Sequence, residues 1–80
     1  MSDIDDWLHV HEGALDDIAR ETDVPSALVR LAAVLMLAGI EDAQIESQLH
    51  SLVSLHDQRY PLAGAPRALE EIHRLATEHP

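Results

Sequence analysis

Histidine is the residue type in this sequence that could most readily support chemistry, because six of the 80 residues are His. His9 shares a predicted helix face with Glu12 or with Asp16, and the H-x-x-E spacing can hold a metal ion. A metal site, however, needs three or four such ligands. We therefore expect a solvated polar face here and no bound metal.

A second group has the residue types of a hydrolase triad. His50, Ser54 and Asp57 are spaced i, i+4 and i+7 and share one face of a predicted helix. Their side chains would lie in a row on an exposed surface, and no donors for an oxyanion are apparent. Adjacent carboxylates such as Glu70 and Glu71 do not converge on a helix, so they form no acid/base pair. The sequence predicts a protein that is not an enzyme.

Two further histidines, His11 and His56, fall on apolar stripes of predicted helices. We expect each to lie at the edge of the core with one ring nitrogen hydrogen-bonded. The alternative is a contact that changes with pH, because histidine titrates near neutrality.

Apolar residues recur at helical spacing in four segments. They predict helices over residues 3–21, 24–38, 42–57 and 66–78. Arg30 is the only charged residue of the second helix between Pro25 and Ala38, and a helix that is apolar nearly all round is buried on more than one face. We expect one all-α domain over residues 1–80, a compact bundle of four short helices with the second helix central.

The composition favours association. The chain is short for a domain that folds alone, it has no Cys and no Phe, and aliphatic side chains bury less area than aromatic ones. The apolar surplus of the second helix therefore predicts a homodimer, or docking of another protein. The candidate apolar contacts are Trp7, Val29, Leu31, Val34 and Leu37.

Charge narrows the class of partner. With 15 acidic and five basic residues the net charge is -10, which repels nucleic acid phosphates and anionic lipids. It would attract a protein with a basic surface, although solubility alone also explains such a composition. The candidate acidic contacts are Glu12, Asp16, Asp17, Glu41, Asp42 and Glu46. The acidic N-terminus has no apolar segment typical of a signal peptide, so we expect a cytoplasmic protein with no membrane partner.

Residues 15–30, LDDIARETDVPSALVR, resemble the helix-turn-helix of lactose-repressor-type regulators. The residues that match that pattern are Ile18, Ala19, Val24, Val29 and Arg30. The resemblance implies a DNA-binding regulator whose second helix enters the major groove. The sequence departs from the pattern at residues 31–37, LAAVLML, where base-reading and phosphate-binding side chains belong.

The acidity and length also resemble those of acyl carrier proteins, which carry a prosthetic group on the Ser of an Asp-Ser-Leu motif. Ser26 begins the second predicted helix, but its neighbours are Pro25 and Ala27. The carrier motif is absent, and we expect no cofactor.

These observations together predict a small acidic protein–protein interaction module, a regulator or adaptor without catalytic activity that acts as a homodimer. One alternative is an acidic inhibitor of the phage type that mimics nucleic acid on a basic enzyme. The other is a helix-turn-helix-like DNA-binding regulator. Arg without Lys is typical of a GC-rich bacterial or phage genome.

Overall fold

A computed structural model describes residues 3–56 and 63–78 of the chain. These residues form five α-helices and no strand, so the all-α prediction is confirmed, whereas the predicted number of four helices is wrong. The helices are α1 (Asp3–Val10), α2 (Glu12–Thr22), α3 (Ser26–Leu37), α4 (Asp42–His56) and α5 (Ala65–Glu78). In this part of the chain every helix is too short or too polar to cross a membrane.

The additional helix arises at His11, where the predicted helix 3–21 divides into α1 and α2. His11 has φ -103° and ψ 18°. Its backbone N–H donates to the Trp7 carbonyl oxygen at 3.0 Å, and its ring donates from Nδ1 to the same oxygen at 2.8 Å. The ring thus competes for an acceptor of the helix, as local side-chain bonds do where helices are interrupted. Gly13, whose residue type disfavours a helix interior by about 1 kcal/mol relative to Ala, lies within α2.

The turn between α2 and α3 is tight. Asp23 follows α2 in the left-handed conformation, with φ 56° and ψ 38°, which Asp tolerates better than most residues. The N–H of Val24 donates to the Ala19 carbonyl oxygen at 3.1 Å, and this bond satisfies an acceptor at the end of α2. Pro25 then precedes the first turn of α3, where a missing N–H costs nothing.

The α3 helix packs against each of the other four helices, in agreement with the central position predicted for it. One face of α3 contributes Val29, Ala32 and Ala33 to the core, and Leu31 and Leu35 pack partly buried against it. The other fully buried apolar residues come mainly from α2, α4 and α5. They are Leu15, Ile18, Ala19, Val24, Ile45, Leu49, Ala65, Ala68, Leu69 and Ile72.

A close backbone approach joins the end of α2 to the residue that precedes α5. A Cβ atom on Gly64 would lie 1.9 Å from the Thr22 carbonyl oxygen, so this position accepts only glycine. Thr22 is itself buried, and its hydroxyl donates to the Ile18 carbonyl oxygen at 2.6 Å. The Gly64 carbonyl oxygen in turn accepts the N–H of Ala68 and begins α5. We call this region the α2–α5 contact.

Candidate functional site

An open apolar groove lies between α1 and the C-terminal end of α3. It has a volume of about 520 Å³, and its lining comprises Asp3, Ile4, Asp6, Trp7, Val10, His11 and Leu37. We call it the α1–α3 groove. Ile4, Trp7 and Val10 recur every three residues, so they form one stripe along α1.

The groove is open because α1 is the least buried helix of the described chain. No residue of α1 is fully buried, and Val10 is 74% exposed, the only large apolar residue classed as exposed in this part of the chain. The Trp7 ring is half-buried and stacks on the His11 ring, with centroids 4.3 Å apart. Trp7 is thereby held by the helix break on one side and faces the groove on the other. An exposed apolar patch bounded by polar residues is typical of an interaction surface.

Two carboxylates, those of Asp3 and Asp6, stand at the rim of the groove. Both are exposed in the first turn of α1, and neither forms an ion pair with another described residue. Their negative charge is favoured at the positive end of the helix dipole. The rim therefore joins uncompensated negative charge to the apolar stripe.

The predicted apolar contacts divide between the groove and the core. Trp7 and Leu37 line the groove, and Val34 is half-buried nearby on α3. Leu31 is partly buried against the core, and Val29 is a core residue with 1% of its surface exposed, so Val29 is not available for docking.

The sequence prediction did not include Ile4 and Val10, although the structure places both in the groove. In the predicted helix 3–21, Val10 is adjacent to His11 and therefore lies off the apolar stripe that carries His11. The three-residue spacing of Ile4, Trp7 and Val10 was the available signal.

The six predicted acidic contacts lie on two separate parts of the molecule. Glu12, Asp16 and Asp17 are on α2, whereas the other three are at or near the start of α4, and α2 does not contact α4. The Nη2 atom of Arg30 lies 3.3 Å from Oε1 of Glu12 and 3.7 Å from Oδ1 of Asp16.

Basic residues therefore partly compensate both acidic sets. Asp17 pairs with Arg20 on α2. At the start of α4, Asp42 accepts a bond of 2.8 Å from the His73 ring on α5. Glu41 and Glu46 form no ion pair with any described residue. This arrangement weakens the field that the sequence predicted for steering a basic partner.

The residues considered for chemistry are dispersed. Among the side chains that the structure describes, no three from His, Asp or Glu come together as metal ligands. His9 and His50 are exposed on different helices. Asp57 and the side chains of Ser54 and His56 lie outside the described residues, so the triad spacing and the position of the His56 ring stay untested.

The α2–turn–α3 corner has the order of elements of a helix-turn-helix, with Pro25, Ser26 and Ala27 exposed at the start of α3. Its cleft is lined by three carboxylates and one Arg. The charged residues of that cleft are Asp16, Asp17, Arg20 and Asp23. Arg30, the one matching residue that could contact a phosphate, already pairs with Glu12 and Asp16. This charge opposes the approach of a DNA backbone.

In comparisons with known proteins, no family model matches the chain, and no curated protein and no solved structure shows significant similarity to it.

Proposed function

We propose that this protein is a small protein–protein interaction module without catalytic activity, and that it docks a partner in the α1–α3 groove. The observation that supports this proposal is the exposure of Val10 beside Trp7 and Leu37. Val10 takes no part in the core, whose thirteen buried apolar residues in the described chain lie elsewhere, whereas Trp7 packs partly buried against that core. The exposed Val10 side chain therefore contributes little to folding and is available for binding.

The charge of the groove favours a different protein as the partner over a second copy of this chain. A second copy would bring more carboxylates to the groove than basic groups, because each chain has 15 acidic and five basic residues and a net charge of -10. Like charges opposed across an interface cost affinity. The homodimer predicted from the sequence stays a prediction, which the mass of the protein in solution tests.

The two other functions considered from the sequence have less support. A nucleic-acid mimic would present rows of free carboxylates, but Glu12, Asp16 and Asp17 all lie close to Arg side chains. A DNA-binding regulator would need cations at the start of α3, and Arg30 is the only one there.

Site-specific photo-crosslinking tests the proposal. A photoreactive amino acid replaces Val10 in the groove or, as the control, Ser47, which is exposed on α4, a helix that does not contact α1. We expect one partner chain, identified by mass spectrometry, to be joined through position 10 and not through position 47. Leu37→Asp should remove that product. Equal crosslinking from both positions, or none from position 10, would contradict the proposal.

A further inference from the structure

We propose that the occupant of the α1–α3 groove is an amphipathic helix of a basic partner. In this arrangement a large apolar side chain of the partner packs against Trp7, Val10 and Leu37, and Lys or Arg beside it faces Asp3 and Asp6. This inference rests on the proposed function and names the chemistry of the partner.

The first argument concerns the backbone of the partner. The groove is lined by side chains of two helices, which offer no continuous edge of unpaired N–H and C=O groups, since such groups occur only at helix ends. The described residues contain no strand to which an extended segment could add. A partner segment buried in the groove must therefore satisfy its own N–H and C=O groups, and a helix does so.

The second argument concerns the apolar stripe. Ile4, Trp7 and Val10 follow one face of α1, and Leu37 lies across from them at the end of α3. Two neighbouring helices leave a channel between them into which a third helix can pack with side chains three and four residues apart. A helix with apolar residues at i, i+3 or i+4, and i+7 matches such a channel.

The third argument is charge complementarity. Among the described residues no Arg lines the groove, and the sequence contains no Lys. Asp3 and Asp6 supply the carboxyl groups that line the groove, together with the ring of His11. Lys or Arg flanking the apolar side chains of a partner would meet these carboxylates. A second copy of this chain would bring further carboxylates instead.

The test uses a displayed library of amphipathic helical peptides. Large apolar residues occupy the inner positions, and the flanking positions vary among Lys, Gln and Glu. Selection on the full chain should enrich Lys at the flanks. Trp7 is the only Trp, so its fluorescence reports the binding of each selected peptide directly. A Lys-flanked peptide should bind about tenfold more tightly at low salt than its Glu-flanked counterpart.

Two pairs of substitutions locate the effect. Asp3→Asn with Asp6→Asn should reduce the tenfold preference to about twofold. The control is Glu41→Gln with Glu70→Gln, which changes the net charge equally at exposed positions directly before α4 and on α5, two helices that do not contact α1. This control should leave the preference unchanged. Val10→Asp should abolish the binding of every selected peptide.

Several results would overturn the inference. Equal binding of Lys-flanked and Glu-flanked peptides would contradict the basic partner and leave the protein-binding function standing. If no peptide is selected, or if binding survives Val10→Asp, a helix in the groove is contradicted. Crosslinking from position 10 then decides separately whether the proposed function also fails. A homodimer in solution that Val10→Asp dissociates would assign the groove to a second copy.

Discussion

The α2–α5 contact and the α1–α3 groove are both places where two helices meet, but they differ in how completely they close. At the α2–α5 contact, Gly64 and Ala65 let the backbones approach until no Cβ fits on Gly64. At the groove, Trp7 and Leu37 hold the helices around an open channel, and Val10 stays exposed. Small residues allow tight packing at the α2–α5 contact, which stabilises the fold. Large residues at the α1–α3 groove leave apolar surface exposed.

The largest expected difference between the two regions concerns truncation of a large side chain. Ile72 of α5 is fully buried with 0% of its surface exposed, so Ile72→Ala should reduce the free energy of unfolding by about 3 kcal/mol through lost burial and a cavity. Val10→Ala removes an exposed side chain and should change it by less than about 0.5 kcal/mol. Urea denaturation monitored by circular dichroism measures both variants. Similar losses would show that α1 belongs to the folding core.

The next prediction adds a methyl group. Gly64→Ala should destabilise the fold by about 2 kcal/mol or more, because the Thr22 backbone occupies the space of the new Cβ. Gly13→Ala is the matched control. Nothing lies within 4 Å of a Cβ at Gly13, and an Ala inside α2 should stabilise the helix by up to about 1 kcal/mol. Thermal melts of the two variants should therefore shift in opposite directions, and a neutral Gly64→Ala would refute the close approach.

A smaller effect is expected from the hydrogen bond at the end of α2. Thr22→Val keeps the shape of the buried side chain and removes the bond from its hydroxyl to the Ile18 carbonyl oxygen. We expect a loss of about 1 kcal/mol in the free energy of unfolding. Thr77→Val, which removes a similar bond from an exposed hydroxyl on α5, serves as the comparison and should cost less. An equal cost for both would mean that burial of Thr22 does not matter.

The smallest effect is expected at an exposed side-chain hydrogen bond outside both regions. The His73 ring bonds Asp42 across α4 and α5 at 2.8 Å, with both side chains about half exposed. Asp42→Asn should therefore change the free energy of unfolding by only a few tenths of a kcal/mol. High salt should reduce even this difference. A loss well above about 1 kcal/mol would show that the α4–α5 contact depends on this pair. Such a result would contradict the small contribution expected of exposed side chains.

The sequence predicted most of the fold because helical periodicity and end signals agree along much of the chain. The helix over 24–38 is observed as Ser26–Leu37, and the helix over 66–78 as Ala65–Glu78. Residue 57, at the end of the predicted helix 42–57, lies outside the described residues. The prediction of one continuous helix over 3–21 was wrong, because a histidine gives no recognised sequence signal for a helix break. The bond from the His11 ring to the Trp7 carbonyl oxygen depends on a rotamer and a tautomer that no periodicity reveals.

The candidate site was predicted in part. Trp7 and Leu37 were expected at a docking surface and line the groove. Val29 was expected there too, but α3 is nearly uniformly apolar, so periodicity could not tell its core face from its exposed one. Val10 was missed although the three-residue spacing of Ile4, Trp7 and Val10 within α1 (Asp3–Val10) indicates a shared face.

We expect the α1–α3 groove to bind a partner, whereas the α2–α5 contact only stabilises the fold. Amide hydrogen exchange, measured with and without a selected Lys-flanked peptide, is the most direct test of this difference. Bound peptide should slow exchange in α1 (Asp3–Val10) and near Leu37, and leave exchange in α5 (Ala65–Glu78) unchanged apart from the global stabilisation by ligand. Protection centred on α4 or α5, with α1 unaffected, would contradict the assignment of the groove as the binding surface.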